Sequence, residues 1–255
     1  MHITDGNFLL SAASLFGGKD TLLWLSIIVV SFGLLGGLFL LYKYFSHGRN
    51  KRPILYFSIA MIGLYLFAIP TIVENAGISI VLTKFNAFFA LAFPLNFYAR
   101  LLIGSAIFIL ANPALYKKWR HYLFVWAFVA AAYYVYIFWG SGQISSHWPI
   151  VFSISIFYLP VHVLTLALLL YWLRKDRQTM GVKALIGIFM LSAGVAIAVW
   201  RSFLVIQALL AYPPYFWFLA YSSGPLFATE IAYALLLLVG FHLIHKRYLD
   251  GPEAV

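Results

Sequence analysis

The stretch TLLWLSIIVVSFGLLGGLFLLY, residues 21–42, contains no charged side chain. It runs straight into a segment that carries Lys43, Arg49, Lys51 and Arg52 and no acid before Pro53. A spanning helix needs about 20 mostly apolar residues, and short loops rich in lysine and arginine stay on the cytoplasmic side. The stretch therefore reads as a membrane helix that starts outside and ends inside. Gly33 and Gly37 lie four apart within it and form a small-residue face that lets a second helix approach closely. Glycine tolerated in a membrane helix without any special partner would give the same pattern.

Working outward, the same reading repeats. Of the 255 residues, 64% are hydrophobic and 9% charged, with a mean hydropathy of +0.94. Soluble domains carry about 25% charged residues, so this chain has too few charges to coat a water-facing surface. Six further apolar segments follow, at about Pro53–Val73, Thr83–Ala111, Tyr122–Trp139, Pro149–Leu173, Ala184–Leu210 and Tyr215–His245. Asn112-Pro113 should end the third, because the residue before proline is driven out of helical geometry. The fourth ends in Tyr133, Tyr134, Tyr136, Phe138 and Trp139, the composition of an interfacial belt. Pro160 lies inside the fifth, Tyr212-Pro-Pro-Tyr215 reads as a sharp turn, and Ser223-Gly224-Pro225 either kinks the seventh or marks its true start.

The loops after the first, third and fifth segments and the C-terminal tail hold 13 of the 17 lysines and arginines. The expected architecture is thus all-α: an integral membrane bundle of seven transmembrane helices, one domain over residues 1–255, N-terminus outside and C-terminus cytoplasmic.

Several functions are disfavoured. The net charge of +10 is spent on membrane orientation, so no nucleic-acid partner is expected. The absence of cysteine excludes disulfides, thiolate metal sites and a cysteine nucleophile. Met1-His2-Ile3-Thr4-Asp5-Gly6 precedes the first apolar run without a basic residue, which is unlike a cleavable signal peptide. There is no Gly-x-Ser-x-Gly, His-Glu-x-x-His or phosphate loop, and no lysine in the core of the last segment for a retinal Schiff base. No cofactor is expected. The enzyme question stays open and leans towards no.

Away from the ends of the spans, the charged or histidine side chains are Arg100, His162, Arg201 and Glu230. Asn96 and Arg100 share a helix face. Ser155, Tyr158, His162 and Thr165 form a polar stripe, and Ser223, Glu230 and Tyr233 can form another. A bare arginine at the bilayer centre costs at least about 3 kcal/mol, so these groups are expected to converge. Glu230 would pair with Arg201 or Arg100, and the arginine left over would suit an anionic headgroup or carboxylate. Phe97, Tyr158, Trp200 and Tyr221 would line the apolar part of the cavity. Asn96, Arg100, Tyr158, His162, Arg201 and Glu230 are the candidate ligand-binding residues. Three other readings remain beside this one: an Arg–Glu pair as structural glue, Arg201 reaching to the outer interface, and proton or ion translocation. His242 and His245 read as part of the basic inner flank.

The run Pro94-Leu95-Asn96-Phe97-Tyr98-Ala99-Arg100, followed by Tyr116-Lys-Lys-Trp-Arg120 and an aromatic fourth helix, resembles the amino-terminal seven-helix sensor region of some bacterial histidine kinases and membrane-bound transcription regulators. That resemblance covers about a fifth of the chain. It implies a sensor-like or receptor-like protein of the bacterial inner membrane that binds lipid or a small anionic or amphipathic ligand. Because no kinase or DNA-binding domain follows Arg247, the output would pass through a separate membrane or cytoplasmic partner. Met1-His2-Ile3-Thr4-Asp5-Gly6 resembles the start of the membrane substrate-binding subunits of cobalt and nickel uptake systems, which implies a terminal amine and His2 as metal ligands. A small transporter or metal-uptake subunit, a membrane-embedded lipid enzyme and a structural subunit of a larger complex are the competing readings.

Overall fold

A computed structural model describes residues 19–47, 52–66, 82–137, 148–178, 180–211 and 224–249, and every regular element among them is helical. The elements are α1 (Lys19–His47), α2 (Arg52–Leu66), α3 (Leu82–Ala111), α4 (Pro113–Val135), α5 (Trp148–Ser153), a π-helical segment (Ile154–Tyr158), α6 (Leu159–Asp176), α7 (Val182–Ala211) and α8 (Gly224–Leu249). The π-segment keeps helical backbone angles at both ends, so α5, the segment and α6 form one continuous rod. Seven rods result among the described residues. His2, Phe138, Trp139, Tyr221, Ser223 and the turn at Tyr212–Tyr215 lie outside those residues.

Four of the helices are long and apolar enough to cross a membrane, over Ile27–Ser46, Pro94–Ala111, Val151–Asp176 and Val182–Gln207; Arg52–Leu66 and Thr229–Ile244 are shorter apolar helices. This is the make-up of a membrane protein. The outward faces agree with it. Leu35, Phe124, Phe128 and Phe189 are all exposed, which suits a lipid environment and not water.

Neighbouring rods reverse direction. Gly33 faces Tyr65 and Gly37 faces Met61 and Ile62, so α1 and α2 are antiparallel. Phe108 meets Tyr116 and the Tyr98 hydroxyl donates to the Ala127 carbonyl at 2.8 Å, which makes α3 and α4 antiparallel. Gly187 faces Gly240 and Gly194 faces Leu236, so α7 and α8 are antiparallel as well. By contrast, Arg100 meets His162 and Gly104 meets Thr165, so α3 and α6 run in parallel. Gly36 meets Leu238 and Phe39 meets His242, so α1 and α8 do too.

The packing order closes on itself. α1 packs on α2, α2 on α3, α3 on α6, α6 on α7, α7 on α8, and α8 returns to α1. α4 packs on α3 from beside this ring, and its buried residues are Ala130 and Tyr134. The main core threads the whole ring, from Val30 and Leu40 through Phe57, Ile107 and Trp172 to Leu191 and Phe241. Phe57 and Phe241 stack with centroids 3.8 Å apart and tie α2 to α8.

Local chemistry explains the junctions. α3 ends at Ala111 and α4 begins at Pro113, where proline's missing N–H lies among donors that have no helical partner anyway. Asn112 between them serves both helices. Its N–H donates to the Phe108 carbonyl at 2.9 Å, and its Oδ1 accepts from the Leu115 N–H at 3.0 Å. α4 thus begins well before Tyr122, because this cap starts it directly after α3 and leaves Lys117, Lys118 and Arg120 exposed on its first turns. The described part of α8 begins at Gly224, so Gly224-Pro225 stands at its N-terminal end.

Lipid gives helices little hydrophobic reason to associate, so close packing through small residues has to do it. A Cβ at Gly240 would lie 2.8 Å from the Gly187 carbonyl oxygen and 3.0 Å from the Leu191 nitrogen, both backbone atoms that cannot swing aside. A Cβ at Gly63 would meet just the Ala99 Cβ, at 3.8 Å. Gly240→Ala is therefore expected to destabilise the bundle by about 1–3 kcal/mol, while Gly63→Ala is neutral or slightly stabilising. Thermal unfolding followed by tryptophan fluorescence in lipid nanodiscs separates the two.

Candidate functional site: a polar cluster inside the helix ring

Arg100 lies on α3, one turn beyond Asn96, and its Nε donates to the Asn96 Oδ1 at 2.6 Å. Its Nη1 lies 2.9 Å from the His162 Nε2 on α6. A guanidinium has donors and no acceptor, so Nε2 accepts. The His162 proton then sits on Nδ1, and the ring is neutral. Two phenol rings complete the setting, with the Arg100 Cζ 5.6 Å from the Tyr158 centroid and 5.5 Å from that of Tyr233. These are cation–π distances. Tyr158 closes the π-segment and Tyr233 comes from α8, so four elements surround one guanidinium.

The approach of α3 to α6 is set one turn further along. A Cβ at Gly104 would lie 2.8 Å from the Thr165 Oγ1, so Gly104 lets the two helices close at the spacing the Arg100–His162 contact needs. Thr165 is satisfied within its own helix, donating to the Val161 carbonyl at 2.7 Å. Tyr233 also meets His162 edge-on, with centroids 6.4 Å apart.

The second charged group adjoins the first. The Arg201 Nη1 pairs with the Glu230 Oε2, and each side chain keeps 21% of its surface exposed. Glu230 is one turn before Tyr233 on α8, so the ion pair and the Arg100 cradle are linked through that tyrosine. Glu230 is thereby assigned to Arg201. The pair lies about 21 Å along α7 from the Gly187–Gly240 contact, at 1.5 Å per residue. Glycines therefore fix one end of the α7–α8 seam and an ion pair fixes the other.

Beside the cluster is an aromatic wall. Phe97 is fully buried among Tyr98, Trp126, Tyr134, Phe157 and Tyr158, with centroids 5.3–6.3 Å away. The Tyr134 hydroxyl and the Ser153 Oγ are hydrogen-bonded at 2.6 Å. Tyr133 and Tyr134 thus turn inward onto the π-segment, and Tyr136 of the expected interfacial belt stays exposed.

Of the six candidate residues read from the sequence, Asn96, Arg100, Tyr158 and His162 thus form one contact group, and Arg201 and Glu230 form a pair one helical turn from Tyr233 at its border. Trp200 does not join them: it is 53% exposed, because one residue along a helix is a rotation of about 100° and carries it away from Arg201. Tyr65 on α2 belongs to the group and was not anticipated. Its ring lies against Gly33, where any Cβ would overlap it. Tyr65 is buried in the same core cluster as Tyr233, whose ring flanks Arg100. The signal was available, since a phenol within an apolar span needs a polar partner as much as Tyr158 does. Among the described residues, no three histidine, aspartate or glutamate side chains come together as a metal site.

Comparison with protein families, with curated proteins and with solved structures finds no match to this chain.

Breaking the ion pair on one side leaves a charge without its partner. Glu230→Gln should destabilise the bundle by roughly 1–3 kcal/mol, between the limits for exposed and buried pairs. Replacing both partners, with Arg201→Met and Glu230→Leu, should recover most of that loss. A double-mutant comparison of unfolding temperatures in nanodiscs is the measurement.

Proposed function

We propose that this chain is a receptor-like or sensor-like protein of the bacterial inner membrane, crossing it seven times, that holds a small anionic or amphipathic ligand at Arg100. One observation carries the reading. Among the described residues, Arg100 is held solely by neutral groups, Asn96, His162, Tyr158 and Tyr233, while the acid that could balance it is taken by Arg201. A guanidinium stays protonated at any physiological pH. The cluster therefore carries one net positive charge where the dielectric is low, and an anion that enters gains a strong, weakly screened attraction. Arg100, Arg201 and Glu230 are all only partly buried, so the cluster is not sealed.

The alternating rods and the sidedness of the lysines and arginines support the seven crossings, N-terminus outside. The chain contains no cysteine, so single cysteines can report topology without background. Ser46→Cys and Gly181→Cys are expected to react with a membrane-impermeant maleimide only after the cells are opened, and Ser141→Cys in intact spheroplasts. The opposite pattern would reverse the orientation.

Arg100→Gln removes the charge and keeps a donor for His162. The variant should fold, with a ligand-free unfolding temperature at or above that of the wild type, because an unbalanced charge has been removed. It should also lose the stabilisation that dodecanoate gives the wild type. Collapse of the ligand-free bundle instead would make Arg100 a structural group.

A further inference from the structure

Tyr65 is 1% exposed, and among the described residues its hydroxyl has no hydrogen-bond partner. Such an orphan is uncommon and destabilising. The position is built for it nonetheless. Gly33 leaves the space its ring occupies, since a Cβ there would overlap the ring. Tyr65 is buried in the same core as Tyr233, whose ring flanks Arg100, and as Ala99, the residue beside Arg100 on α3.

Arg100 has a matching vacancy. Nε is used by Asn96 and Nη1 by His162, and Nη2 makes no hydrogen bond among the described residues. Two donors, a guanidinium nitrogen and a phenol, are thus left over within one cluster. The acid of the cluster, Glu230, already has its charge matched by Arg201.

Resting on the reading of Arg100 as a ligand site, we infer that Tyr65 is its second binding group and that the ligand's headgroup is a monoanionic oxyanion, such as a carboxylate. Charge sets the valence. Arg100 and Arg201 contribute two positive charges and Glu230 one negative. One negative charge brings the cluster to neutrality, and a dianion would overshoot it in a medium that penalises net charge. Chemistry sets the atom type. A guanidinium N–H and a phenol O–H can both donate to one oxyanion, and the net positive charge of the cluster opposes an ammonium headgroup. Tyr65 then ties α2 to the ligand while Asn96, Arg100 and His162 tie α3 and α6 to it, so binding draws three members of the ring together.

Tyr65→Phe tests this, since it keeps the ring that fills the space at Gly33 and deletes only the hydroxyl. The full chain is placed in nanodiscs at mildly alkaline pH and titrated with dodecanoate, dodecyl phosphate, dodecanol and dodecyltrimethylammonium. The wild type is expected to prefer dodecanoate over dianionic dodecyl phosphate, with neither the alcohol nor the cation competing. Tyr65→Phe should weaken dodecanoate about 10- to 100-fold, the loss of one hydrogen bond to a charged group. Its ligand-free unfolding temperature should stay at or above that of the wild type. Unchanged dodecanoate affinity in Tyr65→Phe, or tighter binding of dodecyl phosphate than of dodecanoate, overturns the inference; the reading of Arg100 then still stands if Arg100→Gln abolishes binding. Failure of the wild type to bind either anion overturns both.

Discussion

A guanidinium placed among apolar helices has to be received by other groups, because it cannot shed its proton. Much of this structure is arranged around that demand. Arg100 is met by an amide from its own helix, an imidazole from α6, and the faces of two phenols from the π-segment and α8. None of these brings a negative charge. Together they replace much of the hydration that the guanidinium leaves behind without cancelling its field. Arg201 is treated differently, with a carboxylate of its own. Two arginines in one cluster thus have two fates, one neutralised and one left as a source of positive potential.

Meeting that demand requires backbones that come close. The contacts that close the ring lie where a side chain is missing: Gly33 under Tyr65, Gly37 against Ile62, Gly104 against Thr165, and Gly187 against Gly240. At Gly33 and Gly104 the missing side chain leaves room for an aromatic or polar group that a larger residue would displace, and at Gly37 and Gly187 it lets the helices themselves close. Gly104 brings His162 to Arg100, and Gly33 lets Tyr65 stand within the ring. Packing and site chemistry are therefore coupled, since the glycines that hold the bundle together also set the reach of the groups inside it.

The helical, membrane-embedded character was legible from composition alone. The bounds of α3 and α7 followed closely from their apolar runs, and Asn112-Pro113 marked a junction because cap chemistry is local. Within one helix the polar faces were legible too, since Asn96 and Arg100 are four apart. Contacts between helices were another matter. Periodicity says which residues share a face and never which face meets which, so Arg100 and Arg201 looked like equal claimants on Glu230. Trp200 was placed one position from the pair in sequence and lies on the outside in space. Tyr65 was missed because its surroundings, Met61 to Leu66, carry no charge that would draw attention to it. The π-segment was foreshadowed only by Pro160.

The Leu159 N–H reaches back five residues to the Ile154 carbonyl, so the turn holds one residue more than an α-helical turn. Pro160 follows directly, and a proline crowds the carbonyl four positions before it. The widened turn gives that carbonyl room. It also offsets the helical phase of the following piece by one residue relative to the preceding one. The upper piece is keyed to α4 through Ser153 and Tyr134, and the lower is keyed to α3 through His162 and Arg100. That offset turns the faces before and after it relative to one another, so Ser153 addresses the aromatic wall and His162 the charged cluster, with Tyr158 at the joint in contact with both.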